Sequence, residues 1–397
     1  MPAALWMLIA AAAASISLAL GVRQTFGLFL LPLAQEAALP PTVLGLAVAL
    51  HNLVWGLAQP VTGALADRHG AGRVIAGGAL FYLAGLALPA LLPVPWAVLL
   101  GVGLFTGIGV SCCGTGAALA AIGRAAPPER RGELIGLASA GGSLGQAALV
   151  PLAQNLIGWV GATASLGVLG LTMLAILPIA RSIEWRPPPA RPGVTATGLA
   201  GLPALAREAL ANRGYALLTL GFFACGFQLA FLTMHLPSHL QLCGMPAGLG
   251  ATALMTVGLF NIPGSWLCGR VSNVMRPELA LGWIYLVRSV AIAVFAYTAP
   301  TPLGTVVFAA VMGFVWLGSI PLTNAAIARR FGVTDLGALY GVCFFSHQVG
   351  GFLGAAAGAL LLEFAGNYDA FWPVMILVGA VAVAANWVIR PPARALA

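Results

Sequence analysis

The sequence predicts an all-α integral membrane protein, in which twelve transmembrane helices form two pseudo-symmetric six-helix bundles. Of its 397 residues, 60% are hydrophobic and only 7% are charged, whereas soluble proteins carry about 25% charged residues. The apolar residues fall into twelve runs that are long enough to cross a bilayer as helices. The two halves of the chain also resemble each other at a single offset, which predicts the two bundles.

Proline, glycine and charged residues separate the apolar runs, which we number as spans 1 to 12. A helix needs roughly 20 apolar residues to cross the hydrocarbon core of a membrane. The first run has no basic leader and is too long for the core of a signal peptide, so we expect it to be retained as a helix. The predicted spans are approximately residues 5–33, 43–66, 74–93, 96–123, 133–156, 161–180, 214–237, 248–268, 278–298, 302–328, 336–362 and 370–390.

The arginines predict the orientation of the spans. All 18 basic residues are arginine, and 16 of them lie in every second connection or near the C-terminus. The other connections contain no arginine and only the acidic residues Glu36, Glu363 and Asp369. Because cytoplasmic loops are enriched in arginine and lysine, we expect a multi-pass protein of the inner (plasma) membrane with both termini in the cytoplasm.

One long polar segment divides the chain into three parts. We predict an N-terminal six-helix bundle over residues 1–180, a cytoplasmic linker over 181–213, and a C-terminal six-helix bundle over 214–397. Within the linker, WRPPPARPG (185–193) is typical of a stiff, proline-rich connector. LPALAREALAN (202–212) has the pattern of a short amphipathic helix that lies on the membrane surface.

The two halves match at several places when the sequence is shifted by 205 residues. Related six-helix blocks on either side of a linker are typical of transporters whose substrate site lies between the two repeats. The matching positions are Gly21, Phe26 and Pro32 with Gly226, Phe231 and Pro237, AAIGR (120–124) with AAIAR (325–329), and GELIG (132–136) with GALYG (337–341).

The connection between spans 2 and 3 has a recognisable motif, GALADRHGAGR (63–73). It resembles the signature loop of the major facilitator superfamily, G-x-L-x-D-R-x-G, and GRVSN (269–273) resembles a decayed second copy. The resemblance implies the major facilitator fold and a gating loop whose aspartate caps a helix and pairs across the two halves. The residues that would carry this role are Gly63, Asp67, Arg68, Gly70 and Arg73.

Two arginines, Arg23 in GVRQTFGLFLLP (21–32) and Arg288 in span 9, lie inside the membrane. A charge at the bilayer centre costs roughly 2.5–3.5 kcal/mol, and every acidic residue lies in a loop or at the end of a span. We therefore interpret Arg23 as an anchor for an anion, the alternative being a structural arginine held by backbone carbonyls. For Arg288 the two interpretations stay equally open, with carbonyls or His347 as possible structural partners.

Other polar residues inside the spans are candidates to complete a substrate site. Gln228 is the repeat equivalent of Arg23 (23 + 205 = 228), so we expect it to face the same cavity. His347 is the candidate proton carrier, because histidine titrates near neutral pH, although a helix–helix hydrogen bond would explain it equally well. His51 and Asn52 are interpreted as structural. The candidate substrate-binding residues are Arg23, Gln24, Gln228, Asn261, Arg288, His347 and Gln348.

The segment VRQTFGLFLLP also resembles the helix-1 segment of monocarboxylate and oxalate/formate carriers, which have a basic residue at the position of Arg23. NIPG (261–264), IYLVR (284–288) and SHQVGGFLG (346–354) resemble a bacterial group near those carriers. The resemblance implies a secondary transporter for a small organic anion such as a monocarboxylate. The direction of transport and the choice between proton symport and anion exchange stay open.

An exporter of hydrophobic or amphiphilic compounds is the alternative function, because the spans are rich in glycine, alanine and aromatic residues. Span 4 lacks the buried arginine, and span 5 the Gly-Pro motif, that are typical of drug–proton antiporters. The six cysteines have no metal-ligand spacing, so we expect no metal site. GGSLG (141–145) matches G-x-S-x-G but lies mid-helix without a positioned His/acid pair, and we expect no cofactor and no enzyme activity. The expected partners of a monomer are the anion, protons and the lipid bilayer, and not nucleic acid, because the arginines form no phosphate-binding patch.

Overall fold

Twelve apolar helices account for most of the residues that the structure describes. It is a computed structural model that describes residues 2–127, 130–187, 201–332 and 335–391, with only the backbone of 272 and 273. Eleven of the helices are long and apolar enough to cross a membrane, and the twelfth is shorter. In chain order, helices 1 to 12 are Ala3–Glu36, Pro41–His69, Ala71–Leu91, Pro95–Ala125, Arg131–Val160, Ala162–Ala180, Arg213–Leu242, Ala247–Val274, Pro277–Tyr297, Pro302–Phe331, Leu336–Ala365 and Phe371–Trp387.

The all-helical, twelve-span prediction is confirmed within the described residues. The predicted amphipathic segment forms a helix over Leu202–Ala211, whereas residues 188–193 of the proline-rich connector lie outside the described residues. Several helices extend beyond their predicted spans, because their polar first and last turns continue the helix past the apolar core. Helix 7, for example, reaches Leu242 although its predicted span ended at 237.

Four of the predicted continuous spans are interrupted, one of them helix 6, where a 3-10 turn over Met173–Ala175 separates two α-helical parts. Helix 1 has an α-helix that ends at Arg23 and a 3-10 turn that begins at Phe26. Helix 4 breaks at Gly114, and helix 10 breaks between Phe314 and Ser319. Hydropathy does not reveal such breaks. At the breaks in helices 4 and 10, backbone carbonyls that have lost their helical partners accept hydrogen bonds from side chains of other helices.

The sequence repeat corresponds to a structural repeat. Helix 1 packs on helix 5 so closely that a Cβ at Gly145 would overlap the carbonyl of Ser17. Helix 7 packs on helix 11 in the same way, and a Cβ at Gly350 would overlap the carbonyl of Phe223. Because Gly145 and Gly350 are repeat equivalents (145 + 205 = 350), the two halves share this helix–helix contact.

The repeat extends to the segments that follow helices 6 and 12. The backbone N–H of Gly72 donates to the carbonyl of Glu184 at 3.3 Å. In the second half, the guanidinium of Arg276 donates to the carbonyl of Ile389 at 2.7 Å. Glu184 and Ile389 are separated by the same 205 residues. In each bundle, therefore, the segment after the last helix is hydrogen-bonded near the connection between the bundle's second and third helices.

The two bundles meet where helix 2 crosses helix 11 and where helix 5 crosses helix 8. We call the end of the molecule that holds residues 3 and 391 the terminal end, and the other the opposite end. Toward the opposite end the bundles touch: a Cβ at Gly45 would overlap Ala359, and one at Gly27 would overlap the carbonyl of Thr233. The bundles are therefore closed at the opposite end.

The same helix faces separate toward the terminal end. Gly56 of helix 2 lies against Gln348 of helix 11. Two helical turns further along each of these faces are Gly63 and Gly341, and a Cβ at either position would meet nothing within 4 Å. Contact between helices 2 and 11 thus ends near the middle of the molecule, and the gap between the bundles opens at the terminal end.

Candidate functional site

Arg23 lies where the α-helical part of helix 1 ends, half-buried between the two bundles. Its Nη2 donates to Oδ1 of Asn52 at 2.7 Å, and its Nη1 donates to Oε1 of Gln24 at 3.4 Å. The guanidinium also lies 5.1 Å from the ring centre of Trp55. Its Nε is buried without a partner, and no carboxylate of the described residues contacts the guanidinium. Only neutral groups therefore stabilise this positive charge.

A chain of amide groups connects Arg23 to the other bundle. Gln24 donates from Nε2 to Oε1 of Gln146 on helix 5 at 3.1 Å. Gln146 in turn donates from Nε2 to the carbonyl of Leu254 on helix 8 at 2.8 Å. These bonds run from the candidate anchor to the interface between helices 5 and 8, so the anchor is coupled to both bundles.

A narrow, partly open cleft lies beside Arg23 between helices 1, 2 and 7. Its wall toward the opposite end is the close contact between Gly27 and the backbone of Thr233. Apart from Arg23 and Asn52, the lining is mainly apolar, so a bound molecule would meet one cationic, polar edge and otherwise hydrocarbon. The lining residues are Arg23, Phe26, Gly27, Val48, Asn52, Ala230, Thr233 and Met234.

Helix 11 brings His347 and Gln348 to the same level, at the crossing with helix 2. Gln348 is fully buried beside Gly56, and its Nε2 has no hydrogen-bond partner. Its Oε1 lies 3.1 Å from Nδ1 of His347. The His347 ring stacks on Phe344 with 5.9 Å between ring centres, and Phe344 contacts Trp55 at 5.2 Å. The ring of His347 is therefore connected to Arg23 through Phe344 and Trp55. Gln348 lies at the same helix crossing.

Gln228 does not face Arg23, so the prediction that the repeat places the two in one cavity is wrong. It is fully buried, and its Nε2 donates to the carbonyl of Met375 on helix 12 at 3.1 Å. Arg23 instead bonds Asn52 on helix 2. The two equivalent positions therefore have different partners, although both lie in α-helix.

Arg288 has the carbonyl partners that its structural interpretation required. It is fully buried, and its guanidinium donates to the carbonyls of Val315 (3.2 Å from Nε) and Trp316. Its Nη1 lies 3.1 Å from Sγ of Cys225. The two carbonyls belong to the break in helix 10, so Arg288 supplies donors that the interrupted helix lacks. The hydrogen bonds of its guanidinium go to these groups and not to His347.

Asn261 lies at the junction of helices 5, 8 and 10, outside the lining of the cleft. Its Oδ1 accepts a hydrogen bond from the backbone N–H of Leu317 at 2.9 Å, within the break of helix 10. Its Nδ2 donates to the hydroxyl of Ser143 in the other bundle at 2.6 Å. The geometry favours a role in linking the bundles, and the predicted contact with substrate is not brought about in this conformation.

The predicted gating aspartate pairs within its own bundle. Asp67 contacts Arg124 of helix 4 at 3.0 Å, and Arg124 also binds both carboxylate oxygens of Glu184, the shortest distance being 2.6 Å. The implied pairing across the halves is not formed, because the bundles are apart at the terminal end. The expectation that Asp67 caps a helix is also wrong, since helix 3 begins after Gly70 and has no side-chain cap.

The other residues of the loop fit a structural role at the terminal end. Gly70 has φ +93°, a conformation in which a side chain would be strained. A Cβ there would also lie 2.6 Å from the carbonyl oxygen of Glu184. Arg73 lies 5.9 Å from the ring centre of Trp185. Arg68 is exposed, and Gly63 faces the gap. In the second copy, GRVSN, the side chain of Asn273 lies outside the described residues.

Sequence reasoning missed Asn52, Trp55 and Gln146 as members of the site. Asn52 was interpreted as structural, yet it is the closest hydrogen-bond partner of Arg23. Asn52 and Trp55 are three residues apart, so they share one face of helix 2, and this spacing was the signal available in the sequence. His51 fits its structural interpretation, because its Nδ1 lies 2.8 Å from the hydroxyl of Thr106 on helix 4.

Comparison with known proteins agrees with the helix count and the repeat. Residues 5–355 match the family model described as Major Facilitator Superfamily. The chain is also 24% identical over 359 residues to YcxA of Bacillus subtilis (strain 168), an uncharacterized MFS-type transporter, covering 87% of this chain and 85% of that protein. Since the family model covers most of the chain, this protein belongs to the major facilitator superfamily of membrane transporters.

Proposed function

We propose that this transporter carries a small organic anion, a carboxylate, across the plasma membrane by alternating access, with Arg23 as the anchor. One observation supports the proposal above all: Arg23 is held by neutral groups, its Nε lacks a partner, and no described carboxylate contacts it. A charge inside a membrane protein is normally paired or faces a substrate pathway. An anion that enters the cleft would supply the missing counter-charge.

The chemistry of the anchor suits a carboxylate. A guanidinium binds a carboxylate through two parallel hydrogen bonds, and charge-assisted bonds are roughly twice as strong as neutral ones. In this structure the amide oxygens of Asn52 and Gln24 accept from two of the guanidinium donors. A carboxylate would replace these neutral acceptors and add the opposite charge, while the apolar lining at Val48 and Ala230 would contact its hydrocarbon part.

The resemblance of VRQTFGLFLLP to monocarboxylate and oxalate/formate carriers agrees with this chemistry. It supports a monocarboxylate in a bacterial inner membrane, with His347 as the candidate for proton symport and anion exchange as the alternative. The arginine distribution supports a cytoplasmic terminal end. In that orientation the gap between the bundles opens to the cytoplasm.

Transport by purified protein in proteoliposomes tests the anchor. The panel consists of formate, acetate, pyruvate, lactate and oxalate, measured first by thermal shift and then by uptake. We expect at least one carboxylate to stabilise the protein and to be transported. Arg23→Gln should lose about tenfold or more in affinity, because a hydrogen bond to a charged group contributes about 1.5–3 kcal/mol.

Arg207→Gln is the matched control, because Arg207 is exposed on the helix Leu202–Ala211 of the linker, away from the cleft. It should behave as wild type. Equal uptake by Arg23→Gln and wild type at equal protein level would contradict the anchor assignment. Stabilisation by amphiphilic drugs and by none of the carboxylates would instead favour an exporter.

A further inference from the structure

We propose that Asn52 is a positioning residue that releases Arg23 when a carboxylate binds and then bonds Gln348 across the bundle interface. The inference rests on the proposed function, because it needs an anion at Arg23. It adds a step that connects occupancy of the site to the contact between helices 2 and 11. Asn52 and Gln348 would form this contact only in the loaded protein.

In this structure both ends of the Asn52 amide are hydrogen-bonded. Oδ1 accepts from Nη2 of Arg23 at 2.7 Å, and Nδ2 donates to the carbonyl of Val48, one turn earlier in helix 2, at 3.0 Å. The side chain is fully buried. A carboxylate that takes over Nη2 therefore leaves Oδ1 buried without a donor, which costs about 1–3 kcal/mol unless another donor replaces the guanidinium.

The nearest helix of the other bundle holds a donor without a partner. Nε2 of Gln348 is buried and unbonded, while Oε1 of the same amide faces His347. Asn52 lies beside Gly351, and Gln348 lies beside Gly56. Along each helix, these two contacts are about one helical turn apart, or roughly 6 Å. Side-chain rotation can therefore bring the Asn52 oxygen and the Gln348 amide together.

The two unsatisfied groups would complete each other. When the carboxylate occupies Arg23, the released oxygen of Asn52 accepts from Nε2 of Gln348, and both groups regain a partner. The new hydrogen bond joins helix 2 to helix 11 next to Gly56, where contact between the bundles now ends. Binding would thus strengthen the interface at the point where the gap toward the terminal end begins, which favours closure of that gap over the cleft.

Affinity and transport rate should separate in the variants. In Asn52→Ala the carboxylate no longer competes with an internal acceptor, so its affinity should rise about twofold to fivefold, while the transport rate should fall about tenfold. Gln348→Leu should bind the carboxylate about fivefold or more weakly, because the released oxygen of Asn52 finds no donor, and should lose transport to the same extent. Because both variants remove one contact, the double variant should be no slower than either single variant.

Distances between spin labels report the contact directly. Labels at Ala64→Cys and Gly341→Cys lie on the terminal halves of helices 2 and 11, in a background with Cys243→Ser and Cys268→Ser. The carboxylate that stabilises wild type in the panel should shift the distances to shorter values, and chloride should not. Asn52→Ala and Gln348→Leu should bind the carboxylate without this shift.

Asn324→Ala is the matched control, since Asn324 also donates to the carbonyl one turn earlier in its own helix but contacts no arginine. It should retain affinity, transport and the distance shift. Weaker binding by Asn52→Ala, or independent effects of Asn52→Ala and Gln348→Leu, would overturn the inference while Arg23 remained the anchor. Failure of all five carboxylates, or wild-type binding by Arg23→Gln, would instead overturn the proposed function.

Discussion

Arg23 and Arg288 show two ways in which this protein accommodates a guanidinium among its membrane helices. Arg288 is surrounded by acceptors that cannot leave, because the carbonyls of Val315 and Trp316 belong to the backbone of a broken helix. Arg23 is held by side-chain amides that can rotate away, and one of its donors has no partner. The first arrangement is typical of a structural residue, and the second leaves room for a ligand.

Replacing Arg288 should destabilise the protein without defining its substrate. In Arg288→Met the two carbonyls of the helix 10 break lose their donors, so the free energy of unfolding should fall by about 3 kcal/mol. The apparent melting temperature in detergent measures the change. Arg270→Met, at an exposed position, should leave it unchanged, and an unchanged value for Arg288→Met would show that other groups satisfy the break.

The sequence identified both arginines through topology, since neither could be explained as a loop residue. It did not identify their partners, because contacts such as Arg23 to Asn52, on the consecutive helices 1 and 2, depend on how the helices are rotated and packed and not on hydropathy. Gln228 illustrates the limit of the repeat. Its offset was correct, but Gln228 bonds the carbonyl of Met375 on helix 12, whereas Arg23 bonds Asn52 on helix 2.

At the scale of elements, close helix contacts at glycine are repeated in both bundles. Gly145→Ala and Gly350→Ala should each lower the free energy of unfolding by about 1–3 kcal/mol, because the new methyl group meets the backbone of Ser17 or Phe223. The melting temperature in detergent should fall by similar amounts in the two variants.

A second pair of repeat equivalents provides the control. Gly136 and Gly341 are also 205 residues apart, and a Cβ at either position meets nothing within 4 Å. Gly136→Ala and Gly341→Ala should be neutral or stabilise the helix by up to about 1 kcal/mol. Equal losses at packed and open positions would mean that these contacts do not determine the stability of the bundles.

The breaks in helices 4 and 10 also lie at nearly equivalent positions, since Gly114 shifted by 205 is 319. The two halves satisfy them differently. In helix 4 the hydroxyl of Ser15 donates to the carbonyl of Cys113 at 3.1 Å, whereas in helix 10 the guanidinium of Arg288 supplies the donors. Spans 96–123 and 302–328 gave no hint of either break, because hydropathy reports the side chains and not the backbone.

At the scale of the whole molecule, composition and hydropathy predicted the number of helices and their division into bundles. They could not predict which end of the molecule is open, because the open and closed forms of such a protein have the same sequence and the same helices. The open end follows from contacts: Gly45 and Gly27 are packed against the other bundle, while Gly63 and Gly341 face a gap.

Labelling of single cysteines tests both the orientation and the gap. Cys243 is exposed just beyond helix 7 at the opposite end, so a membrane-impermeant maleimide should label it in intact cells. Gly341→Cys, in a background with Cys243→Ser and Cys268→Ser, should react only in inverted vesicles. Ala49→Cys in the same background, at a fully buried position of helix 2, should resist from both sides. Labelling of Cys243 from the inside alone would reverse the proposed orientation.

The labelling of Cys243 should also depend on pH. Partial burial of the thiol and the nearby carboxylate of Asp369 raise the pKa of Cys243 above its usual value. Because the thiolate is the nucleophile, the rate of labelling should increase as the pH rises from about 7 to about 9. A rate that is already at its maximum at neutral pH would contradict the raised pKa.

The unpaired charge of Arg23 has an electrical consequence. In the proposed cycle the empty site is positive and the site with a bound monoanion is neutral, so only the empty protein responds to voltage when it reorients. Moving one elementary charge across the full membrane potential is worth about 2.3 kcal/mol per 100 mV. A negative cell interior would hold the empty site facing the cytoplasm, which in the proposed orientation is the side on which the bundles are open.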